Sequence, residues 1–262
     1  MPTIIRVSLW KDGTVKTWIG GAAAAGIGVA GTAALVVSSL GGPLAQAAVA
    51  VILAVAAGFG WPYFLGIPAK KTNGTILALA GAAAGISAGT VNGPEFLAWA
   101  PAAMAFGVMA VIVVQLIRGT GQTHRLESTL GASTGVMLCC LGAGWIATGR
   151  FTGTGSMLLV AGISTAVALL VGAINWPDTI VAPFAVVLAG LAAPLAALVL
   201  TDIAVIPATA TGVLIGAVLT AVRRLNRTRS RPMPPPGLVA LALGPVLAVG
   251  SIAYFIDKLL LH

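Results

Sequence analysis

The stretch RRLNRTRSRPMPPPG, Arg223–Gly237, decides how this chain is read. It holds five of the fourteen basic residues, while the runs on either side, Ile203–Val222 and Leu238–Ile256, carry no charge at all. A knot of cations between two apolar runs, each close to the roughly 17–25 residues that cross a bilayer, is the pattern of a loop left on one face of a membrane. Its end, Pro232-Met-Pro-Pro-Pro236, is stiff and favours extended polyproline II up to Gly237.

Composition supports the same solvent for the rest of the chain. Of 262 residues, 58% are hydrophobic and 8% charged, and the mean hydropathy is +1.05. Soluble domains carry roughly 25% charged residues. The polar side chains here are too few to clothe a water-exposed surface, so the surrounding medium is lipid. Thirty-four glycines, with abundant alanine, suit the small-residue packing of membrane helices and show no collagen-like period. The net charge of +8 does not indicate nucleic acid, because the basic residues sit in short loops between apolar runs. Cys139 and Cys140 are neighbours in an apolar run, pointing about 100° apart on a helix, and are read as small buried hydrophobes without a mutual disulfide.

Nine runs have the length of crossings: 18–40, 44–66, 75–92, 97–117, 129–149, 156–174, 179–200, 206–222 and 238–256. The predicted architecture is an all-α polytopic membrane bundle over 18–257, preceded by a cytoplasmic N-terminal segment 1–17 and interrupted by the basic, proline-rich loop 223–237. The first run is too long for the core of a signal peptide, despite Ala45-Gln46-Ala47 after it, and is read as a retained helix. The long run 179–222 is divided at Asp202, with Pro207 in the first turn of the helix that follows.

Helix count and charge test each other. With the N-terminus in the cytoplasm, twelve basic residues fall inside and two, Arg150 and Lys258, outside. That is the asymmetry expected of a multi-pass protein of a bacterial inner membrane. Removing any one of helices three to eight from the count moves the Arg223 loop to the other side and dissolves it. Arg223, Arg224, Arg227, Arg229 and Arg231 are therefore read as a topology anchor, equally suited to anionic headgroups at ~1 kcal/mol each. The C-terminus is then extracytoplasmic. Trp18, Trp61, Trp99, Trp145, Trp176 and Tyr254 fall near predicted helix ends and are expected at headgroup level.

Small residues at four-residue spacing mark packing faces: Gly81, Gly85 and Gly89 on helix three, Gly131 and Gly135 on helix five, Gly212 and Gly216 on helix eight. Helix three is expected to be the central helix. Pro183 and Pro194 flank Gly190 in helix seven and are read as hinge positions, since prolines free backbone carbonyls and interrupted helices line transporter sites. Phe59–Pro68, dense in aromatics, glycines and prolines, is read as a helix end with a turn. Each of the six acidic residues lies in a predicted loop or at a helix end. That counts against coupling through a buried carboxylate. Buried polar positions, Ser87, Gln115, Ser133, Thr134, Ser164 and Thr165, are expected to bond backbone carbonyls.

No metal-binding or phosphate-binding motif is present, and the two histidines, His124 and His262, are not in a catalytic arrangement. No cofactor and no enzymatic role are expected. Membrane lipids are the expected partners. A membrane-protein partner or a second copy is left open. The leading expectation is a permease-like transporter of a small or amphipathic solute. The alternative is a non-catalytic scaffold or accessory subunit of an envelope-assembly system.

Overall fold

The computed structural model describes residues 3–92, 95–118, 125–151, 155–227 and 233–260, with side chains other than those of 3–20, 125 and 227. Arg229, Arg231 and His124 lie outside the described residues, as does the middle of the Arg- and Pro-rich stretch, 228–232.

Among the described residues all regular structure is helical. The elements are α1 (Thr3–Ser38), a 3-10 turn (Ser39–Gly41), α2 (Pro43–Leu65), α3 (Lys70–Thr90), α4 (Ala100–Ile117), α5 (Arg125–Leu141), α6 (Ala143–Phe151), α7 (Ser156–Ala173), α8 (Asp178–Leu200), α9 (Val205–Arg227) and α10 (Pro235–Leu260). Eight helical spans are long and apolar enough to cross a membrane, α5 and α6 together forming one of them. α3, whose polar first turn holds Lys70, Lys71 and Asn73, is not among these eight; the chain is a polytopic membrane helix bundle whose count of crossings comes close to the nine expected. Spans of 18–26 residues are about 27–39 Å long, enough for a hydrocarbon core. α1, at 36 residues, is longer than one crossing, and its apolar part begins at Gly21.

The ends of the helices fall into two layers. In one, Asp178 at the start of α8 meets Arg223 and Arg224 near the end of α9. Arg223 also donates to the Ile174 carbonyl after α7. The Trp61 indole, late in α2, donates to Gly131 early in α5 at 2.9 Å, and Gly237 in α10 lies against Phe64 of α2. In the other layer Arg150, ending α6, donates to Ala88 late in α3, and Gln46, early in α2, donates to the Trp145 carbonyl of α6. These pairings are those of alternating crossings. Lys70, Lys71, Arg118, Arg223 and Arg224 are thereby gathered in the first layer, and Arg150 and Lys258 in the second.

α10 is the centre. Some 83% of its apolar span is buried, against 17% for α4 and 33% for α8. It packs on α2, α5 and α6 on one side and on α1, α7 and α9 on the other. α4 lies outside α3 and α5, and α8 lies outside α7 and α9. The expectation that helix three is central is thus corrected in favour of α10. α3 is well packed, but α10 has the most deeply buried apolar span and touches α1, α2, α5, α6, α7 and α9. Glycines and alanines recur among its buried residues, which lets neighbouring helices approach closely.

Candidate functional site

The α6–α10 seam concentrates the buried polar groups of the bundle. Its origin is a break that the sequence reading ran through as a single helix, 129–149. α5 stops at Leu141, and the chain turns at Gly142, whose amide donates to Cys139 O at 3.3 Å. α6 then begins, with Trp145 N–H donating to Gly142 O at 3.2 Å. The break leaves Leu141 without its helical donor, and the Ser251 hydroxyl of α10 supplies one at 2.8 Å. Within a membrane a freed backbone carbonyl needs such a partner. The glycines are required on both sides. A Cβ at Gly144 would overlap the Ser251 amide, and one at Gly250 would overlap the Trp145 backbone and ring. The two helices touch backbone to backbone.

From the break, polar contacts run along one face of α10. The Trp145 indole N–H donates to Val246 O at 2.8 Å. The Thr148 hydroxyl donates to Gly144 O within its own helix at 2.8 Å and lies 3.2 Å from Gly250 O. Phe151 meets the Tyr254 ring edge-on, with centroids 5.6 Å apart. Val246, Gly250 and Tyr254 recur every four residues, and Asp257, three further on, continues the same face past the end of α6. Asp257 is fully buried. Close to this end Gln46, also buried, donates to Trp145 O at 2.9 Å. Arg150 donates to Ala88 O at 2.7 Å, with its guanidinium 4.5 Å over the Phe96 ring.

Two expectations are corrected here. Asp257 does lie at a helix end, but α10 runs on to Leu260, so its carboxylate is held inside protein. Glu95 and Asp202, by contrast, are exposed. The argument against coupling through a buried carboxylate therefore loses its premise. Trp145, Trp61 and Tyr254 are core residues, not headgroup anchors; among the tryptophans with described side chains Trp99 and Trp176 are well exposed, and the side chain of Trp18 lies outside the described residues. Their indole and phenol rings fill space that the glycines of α5 and α10 leave open. Trp61 sits against Gly135 and Gly244.

The predicted packing glycines all face neighbouring helices. A Cβ at Gly81 would come within 2.9 Å of Cys139, at Gly85 within 2.9 Å of Val51, and at Gly89 within 2.7 Å of Ala47. Gly131 faces Leu65, Gly212 meets the Ala189 carbonyl, and Gly216 meets the Val186 backbone at 2.8 Å. Pro183 and Pro194 stand inside a continuous α8 on the outer flank of the bundle. α4 and α8 sit on opposite flanks, so α3, α4 and α8 do not enclose a common space. Arg223 and Arg224 hold Asp178 at 2.9 and 3.1 Å. Of Arg227 only the backbone is described, within α9.

Both cysteines are free and buried, and the Cys139 thiol donates to Ala54 O at 3.6 Å. Ser87, Thr134, Ser164 and Thr165 bond carbonyls of their own helices. Gln115 does not. Among the described residues no group of three His, Cys, Asp or Glu side chains could hold a metal ion. No protein-family model, curated protein or solved structure matches this chain.

Proposed function

We propose that the chain is a permease-like transporter of a small or amphipathic solute in a bacterial inner membrane. Its N-terminus and the Arg223–Gly237 stretch face the cytoplasm, and its C-terminus faces outward. The observation that carries this reading is the buried Asp257 carboxylate, placed on the central helix beside a crossing segment broken at Gly142. An ionisable side chain inside a membrane bundle is costly, on the order of 2.5–3.5 kcal/mol by insertion scales, and such groups mark ion and proton paths. Discontinuous helices recur at transporter binding sites, where freed backbone groups meet the cargo. In this reading Asp257 takes up and releases a proton or cation at the outer end of the seam. Gly142 and Gly144 let α6 shift against α10. The chain has no catalytic role.

The test uses the purified full chain in liposomes loaded with a pH-sensitive dye. Panels of amino acids, organic acids, sugars and amphipathic amines are added outside. A solute-dependent internal pH change with the wild type, lost in a folded Asp257→Asn variant, is the expected result. No solute-dependent signal across the panel, with both proteins folded, would sink the coupled-transport reading.

A second reading is favoured by the density of the seam itself, where Trp145, Thr148 and Val249 have no exposure. A seam that never opens suits a scaffold subunit of an envelope-assembly system. Its mark would be stoichiometric co-purification of a membrane partner from native membranes, together with silence in the liposome assay.

A further inference from the structure

A second set of buried polar groups lies at the opposite, basic end of the bundle, where α3, α4 and α5 meet. The register of these helices is fixed at Gly107 of α4. A Cβ there would lie 2.6 Å from Val136 of α5 and 2.9 Å from Ala80 of α3. Two turns toward the basic end, α4 reaches Gln115, α5 reaches Ser128 and α3 reaches Asn73. All three belong to the inward faces of their helices. Gly107, Val111 and Gln115 are the buried residues of α4. Ser128, Ala132 and Val136 are buried at the same four-residue spacing on α5, and Asn73, Leu77 and Ala80 at steps of four and three on α3.

The hydrophobic seam therefore ends in a polar layer, and that layer is not internally satisfied. Gln115 is 2% exposed, yet neither of its amide atoms has a partner among the described residues. Asn73 is fully buried and donates through Nδ2 to Pro68 O at 3.1 Å, leaving Oδ1 unbonded. Arg118, one turn beyond Gln115, has Nη1 buried with no partner among the described residues. Unmet buried groups of this kind are costly, more so when charged, because they have given up water without gaining a partner. Two are acceptors, Asn73 Oδ1 and Gln115 Oε1. Two are donors, Gln115 Nε2 and Arg118 Nη1.

We infer that this layer binds the headgroup of a phospholipid that pairs a phosphate with hydrogen-bond donors of its own, a glycerol or ethanolamine headgroup. The phosphate oxygens accept from Arg118 and Gln115. The headgroup's hydroxyls or ammonium donate to Asn73 and the Gln115 oxygen. Lipid is favoured over a soluble anion by position. α4 is the least buried of the apolar spans, and Phe106, Met109, Val113, Leu116 and Ile117 are exposed along it, forming a track for acyl chains that ends beside Arg118. Lys70 and Lys71 at the start of α3 add positive charge at the same level.

The experiment is native mass spectrometry and thermal unfolding of the full chain in detergent. It is titrated with phosphatidylglycerol, phosphatidylethanolamine, phosphatidylcholine of matched chains, or inorganic phosphate. Retained adducts and a rise in Tm with either of the first two, and a weaker response to phosphatidylcholine, are expected. Arg118→Gln and Gln115→Leu should each weaken the apparent affinity about tenfold, the scale of one hydrogen bond to a charged group. Arg224→Gln, at the same end of the bundle but outside this layer, should leave it unchanged. Gln115→Leu also separates the layer from a simple packing defect. In lipid-free detergent it removes unpaired groups and should leave Tm equal or higher. An equal response to phosphatidylcholine or to inorganic phosphate overturns the assignment, as does a lipid response that neither variant diminishes.

Discussion

Gly144 and Gly250 illustrate how much of this fold rests on single hydrogen atoms. Each occupies a place where the neighbouring helix presents backbone, which cannot rotate away as a side chain can. Overpacking a core ordinarily costs about 1–3 kcal/mol, and backbone contact puts Gly144→Ala at or above the top of that range. Gly144→Ala is expected to lower Tm sharply in detergent. Gly26→Ala, whose Cβ would meet nothing within 4 Å, should leave Tm within a degree or so or raise it slightly. Ser251→Ala removes the hydroxyl that donates to the Leu141 carbonyl and should destabilise by about 1–3 kcal/mol, while Ser251→Thr should retain part of the bond. Equal unfolding of the Ser251→Ala and wild-type proteins would show that the break is satisfied in some other way.

At the scale of elements, the ion pairs between α8 and α9 carry unequal weight. Arg223 holds Asp178 from a side chain only 13% exposed, whereas the Arg224 side chain is 59% exposed. A double-mutant cycle should give a coupling of about 1 kcal/mol for Arg223 with Asp178 and less than half of that for Arg224, because exposed pairs are weak and screened. The Arg224 coupling should fade first as salt is raised. The elements themselves were largely legible in the sequence. Apolar runs of bilayer length, bounded by Lys, Arg, Asn and Pro, fall on the helices observed, although α1 begins at Thr3 rather than at 18 and the run 129–149 is two helices, α5 and α6. The break at Gly142 was not legible in that way. It lies inside an unbroken apolar run, and its signal, Leu141-Gly142-Ala143-Gly144, looks like ordinary small-residue packing until Ser251 is seen opposite. The candidate carboxylate was missed for a related reason. Sequence places Asp257 at the margin of a helix, but burial depends on which neighbours surround that margin. Trp61 and Trp145 went astray likewise, because an indole at a helix end reads as a headgroup anchor unless a facing glycine is known to make room for it.

For the whole molecule, sidedness is the property on which the proposed function depends most. The proposed topology of nine crossings requires the two termini to lie on opposite faces. A C-terminal alkaline phosphatase fusion is expected to be active, and a C-terminal green fluorescent protein fusion dark, in a bacterial host. The opposite pair of results would overturn the crossing number and the assignment of Asp257 to the outer end. The bundle is also divided. α2, α3, α4 and α5 group on one side of α10, and α7, α8 and α9 on the other, with α1 and α6 also bridging them, so relative movement of the two groups would have to shift α1, α6 and α10.

That last helix also imposes an order on biogenesis. Chains are threaded into the bilayer from the N-terminus, and α10 emerges after every element it must join. Until then the earlier helices surround an unfilled slot, with Trp61, Trp145 and Leu141 O lacking their eventual neighbours. The nascent protein is thus held in an unfinished form until translation passes residue 260, and proteases that survey the membrane have that interval in which to act. A chain stopped before Pro235 should be inserted but short-lived in pulse-chase, and co-expression of the missing helix as a separate peptide should lengthen its lifetime.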